Sequence, residues 1–305
     1  MSLTIKGRPI RFSLKWLKPP PVPPDGTMTL YEHLRELRYR LIVSALAIMA
    51  GMIVAWFFRY DLLNILQQPY FQAIDALKVK NPDTTTVLVN INLTSPLALS
   101  LKVSALAGVI LTAPFWLYQL WAFVVPGLLA KEKKWTLIFI AAATPMFVGG
   151  VIVGYIILPK GITVLLSFTQ SGVTNLQDIN AYLSFLLRMM MVFGIAFLLP
   201  LVVLMLNFVG VIKARQLAKA RKLVIFGTFV FGAVATPSTD PFSMLALAVP
   251  MTLLFLGTEV IAHISDSRKA RAALAGDDLL IRRSVGDDKV LRELSKGYDR
   301  LEPPT

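Results

Sequence analysis

Apolar residues gather into six runs, at about 41–58, 97–125, 135–158, 183–208, 223–235 and 243–264, separated by polar or proline-containing stretches. A helix needs about 20 residues to cross a hydrocarbon core of about 30 Å. The first four runs are long enough, the first of them near the lower limit. The fifth, LVIFGTFVFGAVA, has 13 residues and covers about 20 Å at about 1.5 Å per residue. It reads as the limb of a re-entrant hairpin or as a short crossing that implies a locally thinned bilayer. Lys213, Arg215, Lys219, Arg221 and Lys222 precede it and no Lys or Arg lies in 236–242, a bias that a crossing satisfies better. The pattern therefore predicts an all-α integral membrane protein of six transmembrane helices, the fifth and sixth short.

The stretches between and around the runs predict three parts. Residues 1–27 are basic and proline-rich (KPPPVPP) and lack a short apolar region ending in a small-residue cleavage site, so they read as a flexible tail rather than a secretory signal. Residues 28–264 form the six-span core. Within it, the loop at 59–96 is too long for a simple turn and carries Pro69, Pro82 and a TTTVLV patch, which predicts a small structured cap. Residues 265–305 hold nine basic and eight acidic side chains with little periodicity and read as a solvated or disordered tail. Pro114, Pro145, Pro200 and Pro250 fall at membrane depth. Each removes a backbone donor and tends to kink its helix. Such kinks can build a concave bundle, and they are also ordinary in membrane helices.

Composition agrees with the pattern. The chain is 55% hydrophobic and 16% charged, with mean hydropathy +0.64, too little polar surface for a soluble protein of this size. A net charge of +13 would by itself raise a nucleic-acid partner, but its distribution follows membrane orientation. Eight Lys or Arg precede the first span, three lie in 126–134, five in 209–222 and nine after 264, so that 25 share one face, against Arg59, Lys78, Lys80 and Lys160 on the other. The positive-inside rule then places both termini in the cytoplasm, and no nucleic-acid partner is expected. The absence of cysteine excludes disulfides and thiolate chemistry. Two histidines in separate segments offer no metal site, and no cofactor is implied. No internal repeat of the inverted-transporter kind stands out.

Charge at the membrane entrance needs its own account. In MTLYEHLRELRYRLIVS (28–44), Thr29 and Glu32 fit a capping box, and Leu30, Leu34, Leu37 and Leu41 recur at helical spacing. Glu36 can pair with Arg40 at i, i+4 and Glu32 with Arg35 at i, i+3. Local ion pairs plus orienting arginines explain the stretch. So does a binding face shared with Glu132, the one carboxylate of the 126–134 loop, which is flanked by Lys131, Lys133 and Lys134. Elsewhere, Arg188 and Lys102 read as side chains that snorkel to the outer interface or meet a loop acid. Glu259 and His263 read as a solvated helix end or, less simply, a pH sensor.

Four ordered segments carry a resemblance. HLRELRYRL (33–41), APFWLYQLWAFVVPGLLAKEKK (113–134), YLSF followed by FGIAFLLP (182–200) and ATPSTDPFS (235–243) resemble TatC, the multispanning receptor subunit of the twin-arginine protein translocase. The resemblance implies a receptor for signal peptides bearing two adjacent arginines. It would work with TatA- and TatB-type single-span subunits, in homo- and hetero-oligomers, to export folded proteins using the proton-motive force. Position by position it implies signal-recognition roles for Glu36 and Glu132, a functional role for Arg38, and a wall that includes Gln119 and Phe123. Trp121 beside them reads otherwise as an interfacial belt residue.

Two positions depart from the family pattern: Leu198 stands where a glutamate is common, and Met244 where a polar residue is common. Thr236 and Asp240 then remain as polar candidates for partner-helix contact, Asp240 equally as a helix cap. The alternative function is a proton-coupled small-solute transporter, which paired ionisable groups at mid-membrane would favour. An enzyme would show a convergent nucleophile, base and orienting group, and no such set is present in the sequence.

Overall fold

The computed structural model describes residues 4–5, 8–9, 30–80, 86–124, 133–168, 175–236 and 240–298. Of the N-terminal tail this leaves β1 (Thr4–Ile5) and β2 (Arg8–Pro9), an antiparallel two-residue ladder. The tail between them and the core, Thr29 and Glu132 lie outside the described residues.

The apolar runs become long helices. α1 (Leu30–Phe57) is followed at once by α2 (Arg59–Lys80). The chain continues through β3 (Thr86–Val89), α3 (Ser95–Leu111), α4 (Ala113–Val124) and α5 (Lys133–Leu166). β4 (Asn175–Asp178), α6 (Ile179–Val209), α7 (Ala214–Ala235) and α8 (Pro241–Tyr298) complete it. Four stretches are long and apolar enough to cross a membrane: Tyr31–Phe57, Thr136–Val164, Ile179–Val209 and Pro241–Arg271. α3 and α4 make a fifth if their bent pair is one crossing. α7, whose first half is basic, is not among them.

Three expectations change. The predicted cap exists, but it contains strands as well as a helix. β3, formed by the β-branched patch, pairs in parallel with β4 from Thr86↔Asn175 to Val89↔Asp178, so the fold is helical without being purely α. The sixth apolar run is not short, because its helix starts at Pro241 and its apolar stretch extends to Arg271. The tail predicted to lack regular structure continues α8 as far as Tyr298. Its Ala, Leu, Arg, Lys and Glu are strong helix formers, and no proline intervenes before Pro303.

Two glycine contacts set the helix crossings. α1 meets α3 where a Cβ on Gly108 would lie 2.6 Å from the Met52 nitrogen and 2.9 Å from the Ile48 oxygen. α5 meets α6 where a Cβ on Gly150 would lie 2.5 Å from the Phe193 oxygen. Without a hydrophobic drive between helices in lipid, such close backbone approach supplies the packing. Phe147, Leu183, Leu186 and Phe193 are fully buried around the α5–α6 contact.

The proline within α2 is accommodated by a hydroxyl donor. Pro69 cannot offer the N–H that would bond the Ile65 carbonyl, and the Tyr155 hydroxyl donates to that oxygen at 2.8 Å. Tyr182 donates to Leu66 O at 3.1 Å, so α2 is tied to both α5 and α6. A sharp bend, 64° between α3 and α4, falls at Thr112. There the Pro114 ring would clash with the Ile110 carbonyl in a continuous helix, and Thr112 Oγ1 closes the end of α3 on Gly108 O at 2.7 Å.

At the far end of the bundle, Gly210 adopts φ +90°, and its N–H and that of Val211 return to Asn207 O and Leu206 O, both at 2.9 Å. This left-handed cap turns α6 into α7. Asp266 of α8 then accepts from Ala214 N at 2.7 Å and from Asn207 Nδ2 at 3.2 Å, clamping the three helices together.

Candidate functional site

α4 has two working faces. Leu117 and Trp121, one turn apart, point into the core, where Trp121 stacks on Phe139 of α5 at 4.0 Å. Gln119 and Phe123, also one turn apart, lie on the opposite side and meet α1. Because α1 carries His33, Glu36 and Arg40 at spacings of three and four, these three share the face that Gln119 and Phe123 approach. The His33 and Phe123 rings stack with centroids 4.5 Å apart.

Glu36 is the buried charge in this contact, only 2% exposed. Arg40 directs two donors onto a single carboxylate oxygen, Nε at 2.9 Å and Nη2 at 2.5 Å from Oε1. Its remaining arm, Nη1, donates to Gln119 Oε1 at 3.2 Å. Glu36 Oε2 is buried and has no hydrogen-bond partner among the described residues. A carboxylate held by one oxygen is thus left with an acceptor open for a further donor, in a setting where an unmet acceptor is costly.

The predicted residues are distributed unevenly. Glu36, Gln119 and Phe123 come together, whereas Arg38 is exposed, two residues round the helix from Glu36. Arg40 and His33 join the site without having been singled out for it. Their signal was the 33–36–40 spacing. Trp121 is not an interfacial belt residue. It is 2% exposed, because Phe139 and the α4–α5 contact enclose it.

Glu259 is not a solvated helix end. It is buried and receives Arg221 Nε on Oε2 at 2.9 Å and Nη2 on Oε1 at 2.5 Å. Among the partner-contact positions, Leu198 packs into the core and Thr236, the C-cap of α7, is buried. Asp240 caps α8 by accepting Ser243 N at 2.7 Å. Met244 is half-buried, with its carbonyl 3.0 Å from where a Gly232 Cβ would stand.

Comparison with known proteins agrees with this architecture. The family model for the Sec-independent protein translocase protein (TatC) matches residues 32–250. A Sec-independent protein translocase protein TatC of Frankia casuarinae is 38% identical over 251 residues, 81% of this chain and 69% of that protein. One of Xylanimonas cellulosilytica is 36% identical over 245 residues, 80% and 87% respectively. The crystal structure of a twin-arginine translocase receptor TatC superposes with a TM-score of 0.64 at 34% identity, covering 77% of this chain and 99% of that one. Its counterpart in the detergent DDM gives 0.62 at 32% identity, covering 75% and 99%. These relatives are translocase components rather than enzymes, and a solute transporter is not favoured. The several apolar helices and these matches make the protein a multi-pass membrane protein. The chain belongs to the TatC family of Sec-independent protein translocase proteins.

Proposed function

We propose that the α1–α4 face reads twin-arginine signal peptides at the cytoplasmic membrane surface. The observation that carries this reading is the open Oε2 of buried Glu36 beside Gln119 and Phe123. An incoming guanidinium is planar and can give parallel hydrogen bonds to a carboxylate, whereas a lysine ammonium is a compact, strongly hydrated point charge. Arg40, anchored by Gln119, holds the carboxylate in place and lets the ligand take the other oxygen. Phe123 on His33 walls off water, which raises the strength of the contact. Glu132 supplies the second carboxylate in this reading, and exposed Arg38 acts at the rim.

The same reading places six spans in the cell membrane, with α7 as the short fifth and both termini in the cytoplasm. The subunit assembles with TatA- and TatB-type single-span proteins and further copies of itself to export folded proteins at the expense of the proton-motive force. Partner-helix contact falls at Asp240, Met244 and Thr236, with Leu198 as a separate contact position farther along α6. The charge bias of the loops and the family membership support these points.

Photo-crosslinking in native membranes tests the site, with the probe at exposed Leu34 and precursors carrying Arg-Arg or Lys-Lys. The Arg-Arg precursor is expected to crosslink, and the Lys-Lys precursor and the Glu36→Ala and Glu132→Ala variants to lose the adduct. Unchanged crosslinking in all three would show that this face does not read arginine.

A further inference from the structure

The site above leaves two basic side chains unexplained, Lys102 of α3 and Arg188 of α6, which open into one groove of about 560 Å³. Most of the remaining wall is apolar, including Ile48 of α1, Leu106, Val109, Met191 and Val192. Lining positions recur at 102, 105, 106 and 109 and at 184, 187, 188, 191 and 192, so the groove follows both helices for about two turns.

Depth places the charges. The 31 residues of α6 extend about 46 Å, exceeding a hydrocarbon core of about 30 Å by about 8 Å at each end if centred. On that scale Ser184 lies at the hydrocarbon boundary and Arg188 about one turn inside it, where an unpaired cation is expensive. Lys102 already turns toward the boundary, donating to Ser184 Oγ at 2.8 Å and Asn180 Oδ1 at 3.1 Å, which leaves one of its three donors spare. Neither cation has a carboxylate within ion-pair distance among the described residues. Asp178, close in sequence, is engaged as the cap of α6 through Asn180 N and Ala181 N.

Two exposed cations, Lys102 turned to the boundary and Arg188 about one turn below it, above an apolar channel leading into the bilayer, complement an amphiphile with an anionic head. We infer that this groove binds an anionic phospholipid of the leaflet adjoining α2 and the β3–β4 pair. Its phosphate lies between Lys102 and Arg188, and an acyl chain runs past Leu106, Val109, Met191 and Val192. A free phosphate would satisfy the cations and leave the channel unfilled. A partner helix would need its own acid at this depth. The inference does not depend on the signal-peptide reading.

Native mass spectrometry of the delipidated full chain tests it, by titration with phosphatidylglycerol, with phosphatidylcholine of the same acyl chains, and with inorganic phosphate. Two cations near the membrane surface should give phosphatidylglycerol about a 30-fold preference over phosphatidylcholine. Lys102→Gln with Arg188→Gln should cut that preference to about threefold or less, Lys102→Arg should keep it, and Val109→Trp should weaken both lipids by filling the channel. Melting curves confirm that each variant is folded. Equal binding of the two lipids, displacement of phosphatidylglycerol by inorganic phosphate, or protection only by a single-span peptide bearing a mid-helix glutamate would each overturn the inference.

Discussion

Glu36 and Glu259 are both buried and both face an arginine, yet they are wired differently. Arg221 spans the two oxygens of Glu259 as a fork and joins α7 to α8. Arg40 sits on the same helix as Glu36 and places both contacts on one oxygen. The first arrangement saturates the carboxylate and fastens two helices. The second reaches another helix only through the Arg40 bond to Gln119 and leaves an acceptor open. Burial and charge pairing are common to both, and the unspent acceptor is what sets Glu36 apart.

The sharpest break of this comparison is Glu36→Ala. Truncating one partner of a hydrogen-bonded charge pair at a binding interface costs about 2–5 kcal/mol, so twin-arginine precursor binding should fall by about 30-fold or more, with a smaller loss of melting temperature than Glu259→Ala gives. Glu259→Ala should do the reverse, lowering the melting temperature while precursor binding stays within about threefold. If the two variants exchanged phenotypes, the distinction drawn from their oxygens would be wrong.

Gly108→Leu comes next, since its side chain would meet the α1 backbone at Met52 and Ile48. It should destabilise by about 1–3 kcal/mol and loosen the α1–α4 face as well, which a melting curve alongside the binding assay would resolve. The Arg221–Glu259 fork should tolerate reversal, with Arg221→Glu plus Glu259→Arg recovering part of the melting temperature lost by either alone. Arg221 is about half exposed, its side chain 52% accessible, so solvent screens this effect and keeps it modest. Smallest is Gln119→Ala. Loss of one neutral acceptor from Arg40 is worth about 0.5–1.5 kcal/mol, a two- to tenfold loss of precursor affinity.

Much of this was legible because it is local. The Glu36–Arg40 pair and the helix cap at Asp240 both depend on neighbours within a few residues. The burial of Trp121 and Glu259 was not legible, because each is decided by a partner far along the chain, Phe139 and Arg221. Period and hydropathy carry no information about which face of a helix a distant element covers. The continuous apolar run at 97–125 likewise hid the break at Thr112. Pro114 marked the neighbourhood of a bend without giving its angle.

That angle has a consequence for where the α1–α4 face stands. Measured along the axis of α3, a straight continuation over Ala113–Phe123 would advance about 16 Å at about 1.5 Å per residue. Inclined by 64°, the same residues advance about 7 Å. The bend thus shortens the reach of this segment by about 9 Å, more than the breadth of a water layer. It lays Gln119 and Phe123 sideways against α1, like a shelf under a ledge, where a straight rod would have carried them farther along the α3 axis.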